Sequence, residues 1–226
     1  MPEITASESA INLAEFICES DWIENIYDEP RVLIKQIESR KKDGHVGAML
    51  MLEGLVRLSC NVPGYVTKEV ICKIQGLITA EQQRKRNVPR LLPKHVGQYR
   101  DCWVGVKGGK YFFPDPEVVP ALMNSLIDRI VWWQDNSRFQ AWDQNVRAIA
   151  RFHLDFEAVH PFADGNGRTG RALVYYLMRW AMLKPFIFTS MDKSELYYPC
   201  FIDPANVRPM EEYFFTKMGC PEIART

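Results

Sequence analysis

An all-α fold carrying one small β-hairpin is what this sequence predicts, on three observations. Apolar residues recur at threes and fours, as in Ile11, Leu13, Ala14, Phe16 and Ile17 and again in Ala48, Met49, Leu52, Leu55, Val56 and Leu58, the spacing of a buried helix face. Two stretches carry helix starts: Thr67 ahead of Val70, Ile71, Ile74, Leu77 and Ile78, and Asp115 followed by Pro116 and Glu117. Only one stretch changes pattern. Tyr99 to Val106 and Tyr111 to Phe113 are rich in aromatic and β-branched residues, and Lys107-Gly108-Gly109-Lys110 between them supplies a turn.

The remaining elements follow in order. The Asp115 helix runs toward Trp132 and Trp133. Apolar positions at 146, 149, 150, 152, 154 and 156 predict a helix that delivers the chain to the run His160-Pro161-Phe162-Ala163-Asp164-Gly165-Asn166-Gly167-Arg168-Thr169-Gly170-Arg171. A further helix is expected from about Arg168 to Leu183, and a last one around Glu211 to Met218. The basic run from Gln82 to Arg90 reads as a solvated helix end and loop.

With 226 residues, 47% of them hydrophobic, the chain can bury one sizeable core but is short for two catalytic domains. A single domain over 1–226 is expected, with no repeat, low-complexity tract or linker dividing it. Twenty-eight basic residues balance 28 acidic ones, so the overall charge calls for neither nucleic acid nor a membrane surface. No leader and no membrane span are apparent, which points to a cytoplasmic protein. The six cysteines, at 18, 60, 72, 102, 200 and 220, form no Cys-x-x-Cys pair, against both a zinc site and a secreted disulfide framework.

The chemistry concentrates at 160–171. Two glycines flanking Asn166 just before a helix let backbone N–H groups converge, and the helix terminus adds positive potential. Arg168 and Arg171, three apart, share a helix face above that anion site and suit a polyphosphate. Asp164 stands where a hard cation such as Mg²⁺ would bridge phosphate oxygens, and His160 is the nearby group that can take a proton near neutral pH. Phe162 is expected to point into the core and pin the loop. His153 shares a stripe with Phe152 and Phe156 and reads as a hydrogen-bonded structural histidine. His153, Asp155 and His160 do not make a metal triad, because residues two apart point to different helix faces.

The pattern His-x-Phe-x-Asp-Gly-Asn-Gly-Arg-x-x-Arg over 160–171 resembles the signature of the Fic family at every defined position. Gly97-x-Tyr99-Arg100 with the hairpin up to Pro114 resembles that family's substrate-binding flap, and Tyr197-Tyr198 a recurring aromatic pair, so the resemblance spans a catalytic core over about 97–217. It implies a protein adenylyltransferase that moves AMP from ATP, with Mg²⁺, to a Ser, Thr or Tyr hydroxyl of a protein docked on the flap near 99–113. In it His160 deprotonates the hydroxyl, Asp164 carries the metal, Gly165, Asn166 and Gly167 hold phosphate oxygens, and Arg168 and Arg171 bind the β and γ phosphates. Tyr197 and Tyr198 either wall the adenine or pack helices.

Ser20-Asp21-Trp22-Ile23-Glu24-Asn25 fits Ser/Thr-x-x-x-Glu-Gly/Asn, which in many Fic proteins marks an inhibitory helix; here it falls within 1–40. The resemblance implies that Glu24 pairs with Arg171 and spoils binding of the γ-phosphate, from within the same chain or from a dimer mate, which leaves a homo-oligomer open. Read from the residues alone, Glu24 lies three after Asp21 and also suits a capping box at a helix start. Two other activities fit the motif: transfer of another phosphate-containing group, and a toxin-like or regulatory module that only senses nucleotide.

Overall fold

The structure, a computed structural model, describes residues 6–58, 64–82, 90–105 and 113–220. Among them are eight α-helices: α1 Glu8–Ile23, α2 Pro30–Glu38, α3 Gly44–Leu58, α4 Lys68–Gln82, α5 Val119–Asn136, α6 Trp142–Val159, α7 Asn166–Trp180 and α8 Arg208–Lys217. Short 3₁₀ turns precede and follow α5, and an irregular helical run from Ser190 to Phe201 precedes α8.

The starts expected from the sequence are made by the residues that predict them. Thr67 Oγ1 accepts from the Val70 N–H (3.3 Å) at the head of α4, and the Asp115 carboxylate accepts from the Glu117 N–H (3.1 Å) ahead of α5, each satisfying a donor that the helix leaves orphaned. Both helices around the signature are longer or earlier than their apolar pattern alone suggests. α6 starts four residues before Val146 because Gln144 Oε1 turns back to accept from the Ala141 N–H. α7 starts at Asn166, two residues before Arg168, because Gly165 takes the left-handed conformation that turns the loop into the helix (φ 81°).

α6 and α7 form the centre. α6 packs against α5, α7 and α8, and α7 also receives α1, α3 and α4. The core they share includes Val146, Ile149, Phe156, Ala172, Leu173 and Leu177, whose removal from water contributes roughly 1.5–3 kcal/mol for each large side chain. Ile11, expected on the buried face of α1, is 45% exposed, while Leu13, Ala14, Phe16 and Ile17 are buried. No described helix is long and apolar enough to cross a membrane.

The β-hairpin expected over 99–113 has no strand among its described residues; 106–112 lie outside them. The described backbone finds other partners. The Arg100 N–H donates to Pro161 O (2.9 Å). The Arg100 guanidinium, 2% exposed, donates to the carbonyls of Cys102 (3.1 Å), Pro114 (2.6 Å) and His160 (2.8 Å). One arginine therefore ties both roots of the 102–114 segment to the end of α6 and satisfies their carbonyls by side-chain donation. Gly97 (φ 68°) makes the preceding bend, its N–H donating to Gln75 Oε1 (2.5 Å); a Cβ there would sit 3.2 Å from Cys72 O.

Candidate active site

The segment between α6 and α7 is pinned from three sides. Phe162 is fully buried against Tyr99 and Phe156, as its apolar character predicts. The Asn166 side chain grips the loop from the helix end: its Oδ1 accepts from the Phe162 N–H and its Nδ2 donates to Phe162 O, both at 2.8 Å. Asn166 thus spends its side chain on the loop and has only its backbone N–H to offer an anion. The N–H groups of Asn166, Gly167 and Arg168, the first three of α7, have no intrahelical acceptor and carry the positive end of the helix dipole.

The third side comes from α4, which sequence reasoning missed. Gln75 Nε2 donates to Asp164 O (3.0 Å). Gln82, read from the sequence as part of a solvated basic run, is 2% exposed: its Nε2 donates to Asp164 Oδ2 (2.7 Å), and its Oε1 accepts from Arg168 Nη2 (2.5 Å). The rest of that run, 83–89, lies outside the described residues. A glutamine succeeds here because one amide can serve an anion and a cation at once. The only advance sign was that Gln75 and Gln82 are two turns apart, on one face of α4. Thr79 lies between them, and a Cβ on Gly165 would come within 2.8 Å of its Cγ2, so the glycine is required both by its φ and by the approach of α4.

His160 ends α6 in the left-handed region (φ 49°, ψ 62°), unusual for a non-glycine and more so before proline. Arg100, bound to its carbonyl, and the Phe113 ring stacked on the imidazole at 4.1 Å hold it there. Its Nδ1 lies 3.3 Å from the carbonyl oxygen of Glu157. A carbonyl only accepts, so Nδ1 carries the proton and Nε2 presents a lone pair. Burial lowers the His160 pKa to about 4 against a partial rise from that backbone bond, so the ring is neutral at pH 7 and able to take a proton.

Arg168 and Arg171 are 3% and 1% exposed. Arg171 donates from Nε to Ser20 Oγ (3.0 Å) and from Nη2 to Ser20 O (2.9 Å) and Glu24 Oε1 (2.8 Å). The segment Ser20–Asn25 is the C-terminal end of α1, which is capped at its start by Ser7, so the capping-box reading of Glu24 is overturned. Asn25 is left-handed (φ 59°) and closes the helix; asparagine is the next best residue to glycine for that turn, which accounts for the Asn where Gly is commoner. His45 of α3 holds the same end of α1 through Asp21 (3.1 Å). Burial opposes ionisation of Glu24, but the charge and hydrogen bond of Arg171 outweigh it and hold the carboxyl below its ordinary pKa. A Cβ on Gly167 would collide with Glu24 Oε1, so the glycine also opens the path from Glu24 to Arg171.

Tyr197 is 1% exposed beneath Arg171, in an aromatic cluster with Phe188, Phe201 and Tyr213. Tyr198 is 40% exposed beside it and faces Lys193. His153 is the structural histidine expected: its Nε2 lies 2.8 Å from the Tyr197 hydroxyl, and burial, helped by Arg171, lowers its pKa to about 3. The structure thus brings His160, Asp164, Gly165, Asn166, Gly167, Arg168, Arg171 and Glu24 to one place, with Tyr197 below them and Tyr198 at the edge.

Known proteins resemble this chain in sequence or in fold. Protein adenylyltransferase fic-1 of Caenorhabditis briggsae is 34% identical over 122 residues, 54% of this chain and 23% of its own length; that of Caenorhabditis elegans is 32% identical over 122 residues, with the same shares. The chain therefore spans less than a quarter of the length of these curated relatives. The crystal structure of a Fic domain containing signaling protein from Bacteroides thetaiotaomicron superposes with a TM-score of 0.69 over 98% of this chain and 90% of that one, at 18% identity, and so shares its fold. The model of the Fic/DOC family matches residues 65–178, half of the chain, from the head of α4 through α7, and this chain belongs to that family.

Proposed function

We propose that this chain is a protein adenylyltransferase that transfers AMP from ATP to a hydroxyl of another protein, and that Glu24 restrains it. The observation that carries the reading is a neutral, Nδ1-protonated His160 facing the amino end of α7, where two buried arginines and free amides receive phosphate. The hydroxyl oxygen attacks the α-phosphorus as Nε2 of His160 takes its proton; the bond from that phosphorus to the α,β-bridging oxygen breaks, and pyrophosphate leaves. Arg168 and Arg171 hold the departing phosphates, and positioning with charge stabilisation supplies most of the rate.

Asp164 suits a hard cation delivered with the nucleotide, since its carboxylate is 39% exposed and Gln82 fixes its orientation. Mg²⁺ held there supplies neutralisation of phosphate charge. The segment 99–113 is the candidate dock for the target protein, because Arg100 anchors its roots beside His160. The site draws on more than the catalytic core read over 97–217 within a single 1–226 domain, since Gln75 and Gln82 of α4 hold Asp164 and Arg168.

Incubation with ATP labelled either at the α or at the γ phosphate tests the reaction class. Label passing to protein from the α position only, and lost in His160→Ala with ATP binding retained, is the expected result; label from the γ position or none at all rejects it.

A further inference from the structure

Glu157 stands one turn before His160 on α6, and nothing assigned so far uses its side chain. It is 9% exposed, and its Oε1 has no hydrogen-bond partner. Its Oε2 lies 3.8 Å from His160 Nδ1, on the side where the Glu157 carbonyl already accepts from that nitrogen. α7 closes over it at Gly170, where a Cβ would collide with Glu157 Oε1 and sit 3.1 Å from both His153 Cε1 and Phe156 Cδ1. A glycine is therefore needed to admit this carboxyl between the two central helices. A buried carboxyl that only filled space would be expected to have a donor; this one instead faces the ring nitrogen opposite to the lone pair.

We propose that Glu157 is a positioning residue for His160: its carboxyl stands behind Nδ1, fixes the ring with Nε2 outward, and, once ionised, offsets the positive charge the imidazole gains as Nε2 takes the hydroxyl proton. The inference rests on the transferase reading for its rate consequence, and on geometry alone for the contact between the two side chains. No oxidant or further reactant enters; the proton moves from the hydroxyl to Nε2, and the Nδ1 proton stays on the ring, turned to Glu157.

The surroundings decide when the carboxyl is charged. Burial raises the Glu157 pKa to about 8, Arg171 of α7 pulls it down, and Glu24 at the end of α1 pushes it up. His153 on α6 is neutral, and the hydroxyls of Tyr197 and Tyr198 are pushed up by burial, so neither supplies charge near neutral pH. Burial is thus the main reason Glu157 stays protonated near neutral pH, and Glu24, besides occupying Arg171, adds a smaller push in the same direction.

The test uses the full chain carrying Glu24→Gly, alone and with Glu157→Gln or Glu157→Asp, transferring α-labelled AMP to protein. The expected result for Glu157→Gln is a kcat lower by about 10- to 100-fold, the usual size of losing a partner behind a working histidine, with KM for ATP within about twofold and the rise of kcat with pH, centred below pH 8 once Glu24 is gone, abolished; Glu157→Asp keeps that rise. NMR titration of the nucleotide-free chain with Glu24 intact gives an answer independent of activity: the His160 resonances shift with an ionisation near pH 8, and that shift is absent when Glu157→Gln is introduced. Unchanged kcat in Glu157→Gln, or kcat and ATP binding falling together with stability, overturns the proposal. If no chain transfers label, the transferase reading fails, and the titration alone decides whether Glu157 acts on His160.

Discussion

Glu24 Oε1 lies 2.8 Å from Arg171 Nη2 across a sequence separation of 147 residues, joining the residue that caps the end of the first helix to the last residue of the signature. Arg171 is almost fully buried, whereas the Glu24 side chain is 32% exposed. The arginine is thus the fixed member of the pair and the glutamate the displaceable one.

Replacing Glu24 by glycine is expected to raise auto-modification or target labelling by about 5- to 150-fold, the range given by coupling energies of about 1–3 kcal/mol. The fold should survive, because Arg171 keeps both bonds to Ser20; a stability loss of about 1–3 kcal/mol is expected, below that of stripping a buried charge of every partner. Thermal melts with and without Mg-ATP check it, since nucleotide must stabilise the variant more than the parent. Equal labelling and equal ATP affinity in both would remove the brake.

Asn25→Val places a β-branched residue at φ 59°, at a cost of about 1–2 kcal/mol. Loosening this turn frees Glu24, so labelling should rise while Tm falls. Asn25→Gly should change neither by much. A rate unaffected by Asn25→Val would show that Glu24 does not depend on its helix end.

Gln82→Ala leaves Asp164 and Arg168 without a shared partner. A loss of about 1–3 kcal/mol in urea unfolding is expected, together with a weaker apparent affinity for Mg-ATP, because the two groups proposed to meet phosphate and cation lose their alignment. Calorimetric titration with Mg-ATP checks it: unchanged affinity would make Gln82 a packing residue only.

Stability is expected to peak near pH 6.5. The pKa values of His153 and His160 are lowered from 6.5 to about 3 and about 4, so from 6.5 downward the unfolded chain binds two protons that the folded one refuses. Glu157, raised from 4.5 to about 8, binds one more proton when folded between those values. The net is one proton lost on folding between pH 4.5 and 6.5 and one gained between 6.5 and 8, so stability falls on either side by roughly 1.4 kcal/mol per pH unit. Glu24, held below its ordinary value, adds a loss only under about pH 4.5. Urea midpoints across pH 4.5–8 measure this; His160→Gln should flatten the acid side and Glu157→Gln the alkaline side.

Sequence alone determined what is local. Apolar spacing indicated most of the helices but not α2, Thr67 and Asp115 marked the starts of two of them, and the run 160–171 placed His160, the glycine loop and both arginines together because adjacent residues cannot avoid one another. The pairing of Glu24 with Arg171 was legible only through resemblance, since no spacing rule links positions 147 apart. The rest needed the tertiary structure. Gln75 and Gln82 join the site because α4 crosses the amino end of α7, and Arg100 holds 102 and 114 beside the end of α6 because its guanidinium reaches three carbonyls that come together only in the folded chain. Glu157 and His153 carry the same lesson. Both lie on α6, which ends where the signature begins, but burial fixes one as a nearly unpartnered acid and the other as a neutral packing group, and burial belongs to the assembled core rather than to any stretch of sequence.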